Sequence, residues 1–238
     1  LEDRALDIYG KVRDSNHSQV MESLRNGLVR LAREALHDPN APFQAIGALK
    51  ELGIAVAQHQ LKEDVKEIIK ALGIVGLEAI RQDIPGLAKR SLHAIGEVGK
   101  KALESSIWEA LLDSDSVLIV RVMRNICEEA AQRSRGEVLK LACSILGALT
   151  IAALRIPRDV KPSIAKSALK AMGRIAEDCI NIRFDEYASQ ILYQIGEIGC
   201  QAIQQGLENP GIYRQIISDL KQIFRAANQK ARGSVRNQ

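Results

Sequence analysis

The amino-acid sequence predicts an all-α fold, a right-handed α-solenoid of tandem helical hairpins with nine to ten main helices. Two observations predict this class. An apolar residue, two spacers, an aliphatic residue and a small residue recur in this order nine times along the 238 residues, and they trace one apolar stripe with the 3.6-residue period of an α-helix. Aromatic residues make up only 3% of the chain, whereas sheet sandwiches usually contain more of them, together with more Val and Thr.

The nine copies align on the residue, usually small, that closes each pattern and that we call the anchor. Consecutive anchors are 21 to 28 residues apart. The residue before the anchor is aliphatic in every copy, and the residue four before it is apolar in every copy. A register kept over nine copies predicts nine similar helices of roughly 15 to 20 residues joined by short turns. The anchors are Ala32, Gly53, Gly76, Gly99, Cys127, Thr150, Ala176, Gly199 and Phe224.

Residues that favour turns separate these helices in chain order. Ser114 and Ser116 can cap the helix that contains Cys127. The long spacing before that helix contains the only tryptophan, Trp108, within a short extra helix over residues 106–112. The turn segments are residues 38–42, 83–86, 133–136, 156–159 and 209–211.

The repeat extends over nearly the whole chain. We therefore predict a single α-solenoid domain of residues 1–238, with a repeat core over about residues 18–230 and a basic tail of residues 229–238 that frays. The chain begins with Leu1 rather than Met, which is consistent with a fragment of a longer protein.

Several glycines lie in the middle of predicted helices, where each costs about 1 kcal/mol relative to alanine. Close approach of a neighbouring helix would offset this cost, because no side chain separates the two backbones. A dinucleotide-binding loop would need a preceding strand and a different glycine spacing, and a membrane GxxxG face would need a long apolar segment. We therefore expect Gly96 and Gly196 at helix–helix contacts. The glycines of this kind are Gly73, Gly76, Gly96, Gly99, Gly147, Gly173, Gly196 and Gly199.

Two consecutive helices make a unit of about 44 to 51 residues, and tandem hairpins of this length resemble the HEAT and armadillo class of α-solenoid repeats. Residues 94–99 and 194–199 are similar to the A-L-G-x-I-G core of bacterial and archaeal HEAT repeats. The resemblance covers nearly the whole chain and implies an architecture rather than a function. HEAT repeats of that kind usually have Asp soon after the second glycine, whereas Lys100 and Cys200 follow it in these two segments.

Composition favours a soluble protein without a large charge. The formal net charge is +4, which is low for a protein that binds nucleic acid through charge alone. Residues 1–120 contain 15 Lys+Arg and 18 Asp+Glu, and residues 121–238 contain 18 and 11. The positive charge is therefore concentrated in the C-terminal half.

The four cysteines lie at apolar or small positions of the helical pattern, and no two of them form a CxxC pair. This predicts reduced, mostly buried thiols in a cytoplasmic protein. No metal and no cofactor is predicted, because the four histidines do not cluster near the cysteines. The longest apolar run, Ile145–Leu154, is too short to cross a bilayer, and no signal peptide is visible. The cysteines are Cys127, Cys143, Cys179 and Cys200.

The sequence shows no catalytic constellation, so we predict that the chain is not an enzyme. Glu97 and Glu197 are two repeat units apart, too far for a glycosidase pair. Because α-solenoids offer extended surfaces to protein partners, we predict a non-catalytic protein–protein interaction scaffold or regulatory domain. Two alternatives stay open. One is binding of nucleic acid or another polyanion by the basic C-terminal half, and the other is a HEAT-like enzyme or enzyme subunit, which the resemblance allows.

Alternate helices form two sets. The first set has the anchors Ala32, Gly76, Cys127, Ala176 and Phe224, and it carries far more charge than the second. Its Lys and Arg residues share a register that would align them across stacked helices as a basic ridge for an acidic protein surface. The same residues could instead form a solvated face in which Glu63 and Glu67 neutralise them. The predicted ridge consists of Lys66, Lys70, Arg121, Arg124, Lys166, Lys170, Arg174 and Lys221.

The second set, with anchors Gly53, Gly99, Thr150 and Gly199, has fewer charged residues. Its uncharged polar side chains could lie on a face covered by a partner or by a second copy in a homo-oligomer. These side chains belong to Ser144, Thr150, Tyr193, Gln194, Gln201 and Gln204.

Overall fold

The computed structural model describes residues 17–34, 40–107, 111, 117–154, 161–204, 214, 216–218, 221 and 225. No described residue belongs to a β-strand, and residues 214, 216–218, 221 and 225 are helical. The predicted all-α helical-repeat class is confirmed, and helices of 15 to 21 residues agree with the expected length. The bounded helices are α1 His17–Glu34, α2 Ala41–Gln58, α3 Lys62–Arg81, α4 Pro85–Glu104, α5 Leu118–Gln132, α6 Gly136–Leu154, α7 Lys161–Asn181 and α8 Asp185–Gln204.

The helix boundaries agree with the predicted turns at residues 83–86 and 133–136, and α2 begins within the segment 38–42, of which residues 38 and 39 lie outside the described residues. Pro42 lies in the first turn of α2 and Pro85 begins α4, where a proline loses no helical hydrogen bond. Ser114, Ser116, Trp108, the segments 156–159 and 209–211, and the tail lie outside the described residues.

Five described helix ends share one tight turn. In the turn after α3, the Asp83 amide donates to the Ile80 carbonyl at 3.1 Å, and the Ile84 amide donates to the Ala79 carbonyl at 2.8 Å. This is the Schellman arrangement, which requires one left-handed residue. Each of the five turns has a residue other than glycine there, with φ between 54° and 64°. These residues are Gln60, Asp83, Ser106, Ser134 and Arg183.

The chain divides into two compact units, Leu1–Ile126 and Cys127–Gln238, and the division falls within α5. In unit 1, α1 packs on α2 and α3, α2 packs on α3 and α4, and α3 packs on α4. In unit 2, α6 packs on α7 and α8, and α7 packs on α8. Within each unit a helix therefore contacts the next helix and the one after it, as expected for stacked repeats. The single domain of residues 1–238 stays a prediction.

The predicted apolar stripe forms the core of each unit. From α2 to α8, every residue one or four positions before the anchor is buried. Leu49 and Leu52 of α2, for example, have no exposed surface, and neither does Ile195 of α8. Burial of one such side chain stabilises the fold by about 1.5–3 kcal/mol, so the repeated register supplies the main stabilising contribution.

The prediction of close packing at glycine is confirmed at several helices. A Cβ atom at Gly73 would overlap Val122 Cγ1, and one at Gly76 would lie 2.8 Å from Ile126 Cδ1. Gly53 of α2, which was not in the predicted set, is closely packed as well, because a Cβ there would lie 2.5 Å from Val98 Cγ2. The prediction is wrong at Gly196, because no described atom lies within 4 Å of a Cβ built there. That glycine is half-buried on α8.

Three of the four cysteines are buried as predicted, namely Cys127, Cys143 and Cys179. Burial raises the pKa of all three thiols, because desolvation disfavours the thiolate. For Cys179, burial followed by the nearby Asp178 raises the pKa to about 12. The prediction is wrong for Cys200, which is exposed, because the position after the anchor points away from the apolar stripe.

One described helix, α6, is long and apolar enough to cross a membrane by length and composition, with a mean hydropathy of 1.8. It includes the run Ile145–Leu154, which is too short by itself. A share of 56% of this helix is buried, and the helix packs on α7 and α8. A core position therefore accounts for its apolar composition as well.

Candidate partner-binding surface

On α3 of unit 1, the basic residues are neutralised by neighbouring carboxylates. Lys66 Nζ lies 2.8 Å from Glu63 Oε1, and Lys70 Nζ lies 2.8 Å from Glu67 Oε1. Arg25 Nη1 of α1 lies 3.6 Å from the other oxygen of Glu67. Such partly exposed pairs contribute only a few tenths of a kcal/mol each. This part of the predicted ridge is a solvated face with its charges compensated.

On α7 of unit 2, three basic residues follow one another at intervals of four. Lys166, Lys170 and Arg174 are all exposed, and none of them forms an ion pair with another described residue. A rise of 1.5 Å per residue places successive members about 6 Å apart along the helix. We call these three residues the α7 basic stripe.

The difference between α3 and α7 comes from three positions, one of which is Arg174, which stands where α3 has Ile74. The two helices align with an offset of 100 residues, so Lys166 and Lys170 correspond to Lys66 and Lys70. The positions of Glu63 and Glu67 are occupied by serines in α7. The α7 basic stripe therefore keeps the lysines of the repeat and lacks the carboxylates that neutralise them. The corresponding pairs are Glu63 with Ser163 and Glu67 with Ser167.

Further exposed cations lie on the last described helical residues of unit 2. Arg214, Lys221 and Arg225 are exposed. Ile216, which lies between the first two, is placed beside α8, because a Cβ at Gly199 would lie 3.4 Å from Ile216 Cδ1. Lys221 was a member of the predicted ridge, and Arg214 and Arg225 add to it.

The two remaining predicted residues lie on the part of α5 that belongs to unit 1. Arg121 is exposed and Arg124 is half-buried, and both have interactions with other residues. Among the described residues of the predicted ridge, the cations without an ion pair to another described residue thus lie in unit 2. A role of these residues in binding stays a prediction.

The polar residues of the second set differ in exposure. Ser144 and Tyr193 are exposed, and Gln194 and Gln201 are half-buried. Thr150 is buried, and its hydroxyl donates to the Leu146 carbonyl at 2.8 Å. The prediction that Thr150 lies on the surface is therefore wrong, because its hydroxyl finds a partner within its own helix. The side chain of Gln204 lies outside the described residues.

Tyr193 is the most exposed large hydrophobic side chain among the described residues of the second set, with 69% of its surface accessible. Its hydroxyl donates to Glu197 Oε1 at 3.2 Å. This hydrogen bond is the main reason why the pKa of the Tyr193 hydroxyl is raised above its ordinary value. The pair orients the tyrosine along α8 and leaves its ring in solvent.

Metal-ligating side chains are scattered in the part of the chain that the structure describes. No group of three or more His, Cys, Asp or Glu residues there could hold a metal ion.

Comparison with protein-family models and with curated proteins gives no match. Among solved structures, the chain is similar to one described as a circular tandem repeat protein with novel repeat topology and enhanced subunit contact surfaces. The TM-score is 0.59 and the identity is 21%, over 93% of this chain and 54% of that one. The chain thus spans about half the length of that protein. The likeness shows a helical tandem-repeat fold and does not select the HEAT class.

Proposed function

We propose that this protein is a non-catalytic helical-repeat scaffold of the cytoplasm that binds an acidic protein surface through the α7 basic stripe. The observation that carries the proposal is the contrast between two equivalent helices. The lysines of α3 have carboxylate partners at 2.8 Å. The lysines of the stripe are exposed, and α7 has serines where α3 has the glutamates of these pairs.

The geometry of the stripe suits a partner that presents carboxylates at regular intervals. Cations about 6 Å apart match the spacing of acidic residues at every fourth position of a partner helix. Exposed charges of one sign also steer a complementary partner before contact. The cations at Arg214, Lys221 and Arg225 enlarge the positive field of unit 2.

A protein ligand suits this stripe better than nucleic acid does. Proteins that bind single strands combine basic residues with aromatic rings on which the bases stack. The exposed residues of α7 include no aromatic side chain among those described, and the exposed Tyr193 belongs to α8 of the other helix set. The three cations of the stripe are also few compared with the phosphate contacts of a salt-sensitive DNA-binding protein.

The test compares charge reversal on the two equivalent helices. The first variant combines Lys166→Glu, Lys170→Glu and Arg174→Glu, and the matched control combines Lys66→Glu, Lys70→Glu and Ile74→Glu. The probe is a synthetic helical peptide with glutamate at every fourth residue, and its affinity is measured by fluorescence anisotropy. Loss of three exposed charge pairs should weaken binding about 10- to 100-fold in the first variant, while the control stays within about threefold of the unmodified chain.

Two outcomes would contradict the proposal. Equal affinity in the α7 variant and the unmodified chain at 50 mM NaCl would mean that the stripe is only a solvated face. A single-stranded oligonucleotide of equal charge that binds more tightly than the peptide would favour the nucleic-acid alternative. Binding through the stripe should also weaken when salt is raised, because exposed charges are screened within about 10 Å at 0.1 M.

A further inference from the structure

The position nine residues before the anchor holds a negative charge in α3. Glu67 Oε1 lies 2.8 Å from Lys70 Nζ, and Glu67 Oε2 lies 3.6 Å from Arg25 Nη1 of α1. The side chain of Glu67 is 40% exposed, so the carboxylate is accessible to solvent. One anion at this position therefore compensates two cations of unit 1.

Ser167 occupies the same position of α7 in unit 2, nine residues before the anchor Ala176. It is half-buried, as Glu67 is. Lys170 follows it by three residues, as Lys70 follows Glu67, but Lys170 forms no ion pair with another described residue. The repeat thus keeps the cation at this position of α7 and has a hydroxyl in place of the carboxylate.

Phosphorylation gives a serine the negative charge that this position has in α3. Phosphoserine carries a charge of about −1.5 to −2 at pH 7 and three strong acceptor oxygens. Residues three apart are neighbours on a helix surface, so a phosphate on Ser167 reaches Lys170. The equivalent position of α3 accommodates a glutamate, and we therefore expect the similar reach of phosphoserine to be compatible with the helix.

We propose that Ser167 is a phosphorylation site whose phosphate pairs with Lys170 and neutralises the α7 basic stripe. The release of an acidic partner by this modification rests on the proposed function. The stripe has three positive charges, and one phosphate reduces them to a net charge of about +1. The modified α7 then resembles α3, in which the lysines are compensated.

The modification uses ATP and a protein kinase. The Ser167 hydroxyl oxygen attacks the γ-phosphorus of ATP, the bond from this phosphorus to the bridging oxygen of ADP breaks, and the hydroxyl proton passes to a base of the kinase. Ser167 lies within the first two turns of α7, which begins at Lys161. Helix ends open locally at a lower free energy than helix centres, which gives a kinase access to the hydroxyl. Ser163 lies in the first turn, and its side chain lies outside the described residues.

The first measurement is the phosphate content of Ser167. The full chain is isolated from the cells that make it, with phosphatase inhibitors present, and is mapped by mass spectrometry. We expect a phosphorylated peptide that contains Ser167, and we expect it to disappear after treatment with a phosphatase.

The second measurement is the effect of the phosphate on binding. Phosphoserine is incorporated during translation at position 167 of the full chain, and the matched control carries it at position 23. Ser23 is exposed and lies nine residues before the anchor of α1, but Asn26 and Gly27, three and four residues later, carry no charge. The affinity for the acidic peptide, measured by anisotropy, should fall at least about tenfold with phosphate at position 167 and stay within about threefold with phosphate at position 23.

The third measurement does not depend on the peptide. Pairing with Lys170 favours the doubly charged phosphate, so the pKa of phosphoserine at position 167 should lie below its ordinary value of about 6. It should also lie below the pKa of phosphoserine at position 23. Lys170→Gln should raise the pKa at position 167 towards that of the control, and ³¹P NMR titrations measure all three.

Three outcomes would overturn the proposal. Absence of phosphate from Ser167 in cells would mean that the serine is not a modification site. Equal pKa values at positions 167 and 23, unaffected by Lys170→Gln, would mean that the phosphate does not pair with the lysine. Unchanged affinity with phosphate at position 167 would mean that it does not neutralise the stripe. If the unmodified chain does not bind the acidic peptide, the proposed function fails, while phosphate content and titration still decide whether Ser167 is a modification site paired with Lys170.

Discussion

The hairpins of residues 62–104 and 162–204 share one repeat pattern but carry different surface charge. Equivalent positions in the two hairpins are 100 residues apart in the sequence. Their cores correspond, since Leu72 and Met172 are both buried on the apolar stripe. Their turns correspond, since Asp83 and Arg183 both adopt the left-handed conformation. Their solvent faces differ, because the carboxylates that neutralise α3 are absent from α7. The fold thus constrains the inward positions and leaves charge on the outward positions free to change.

The thiols give the largest expected difference between regions. At pH 8, one of the four cysteines, Cys200, should react rapidly with a thiol reagent, and the three buried ones should react only after unfolding. A pKa of about 12 for Cys179 implies about a thousandfold less thiolate than a thiol with an ordinary pKa near 9 has. The measurement is the number of labelled thiols against time by mass spectrometry. Rapid labelling of Cys127 or Cys179 would contradict the buried core of unit 2.

The same pKa shift predicts how stability depends on pH. Between about pH 9 and pH 12, the unfolded chain loses the Cys179 proton while the folded chain keeps it. The folded state is therefore progressively destabilised as the pH rises through this range, and Cys179→Ala should flatten this part of the profile. Urea unfolding at pH 8, 9 and 10 gives the comparison.

Glycine substitutions should have opposite effects at covered and open positions. Gly73→Leu should lower the free energy of unfolding by about 3 kcal/mol or more, because a Cβ there would overlap Val122 Cγ1. Gly196→Ala should instead raise it by up to about 1 kcal/mol, because alanine favours the helix and meets no described neighbour. Urea unfolding followed by circular dichroism measures both. A loss of stability in Gly196→Ala would show that another part of the chain packs against this position.

Exchange of the carboxylates should convert one hairpin surface into the other. Ser163→Glu with Ser167→Glu should weaken binding of the acidic peptide about tenfold, because each new glutamate can pair with the lysine three residues later. Glu63→Ser with Glu67→Ser should produce a second binding site on α3. The two double variants, measured by anisotropy with the same peptide, are controls for each other. Unchanged affinity in both double variants would mean that the charge difference between α3 and α7 does not determine binding of the peptide.

The smallest expected effect concerns the shared turn. Arg183→Gly should raise the free energy of unfolding by up to about 1 kcal/mol, because a left-handed conformation costs a residue with a side chain about that much. Ser106→Gly should behave in the same way at the end of α4. Peptide binding should not change in either variant.

The periodic pattern was sufficient to predict the helices, because every inward position of the register repeats nine times. It also predicted the close packing at Gly73 and Gly76. It could not predict that Gly96 is buried whereas Gly196 is half-buried, because the motif at residues 195–199 is nearly identical to that at 95–99. The exposure of each glycine depends on what packs beside its helix, and the pattern within one helix does not specify that neighbour.

The charge of a surface was predictable only in part. The register placed Lys66 and Lys166 at equivalent positions of two helices. It did not decide whether either lysine forms an ion pair. The deciding residues are the ones three positions earlier, Glu63 and Ser163, which lie outside the apolar pattern. Comparison of equivalent positions in the two hairpins would have revealed this difference from the sequence alone. Exposure of Cys200 was missed for a related reason, since a small residue beside the anchor was taken for a core residue.

Within each unit, a helix packs only against its neighbours and the helices after them. This restriction affects how fast the chain folds and how repeats can be gained or lost. Contacts within each unit join residues that are close in sequence, and a low contact order favours rapid folding. The free energy of such an array is approximately a sum over hairpins and the interfaces between neighbours. A hairpin gained or lost in the middle of a unit would then alter only the two interfaces it touches. Proteins built in this way change their length by whole hairpins while the remaining hairpins keep their internal structure.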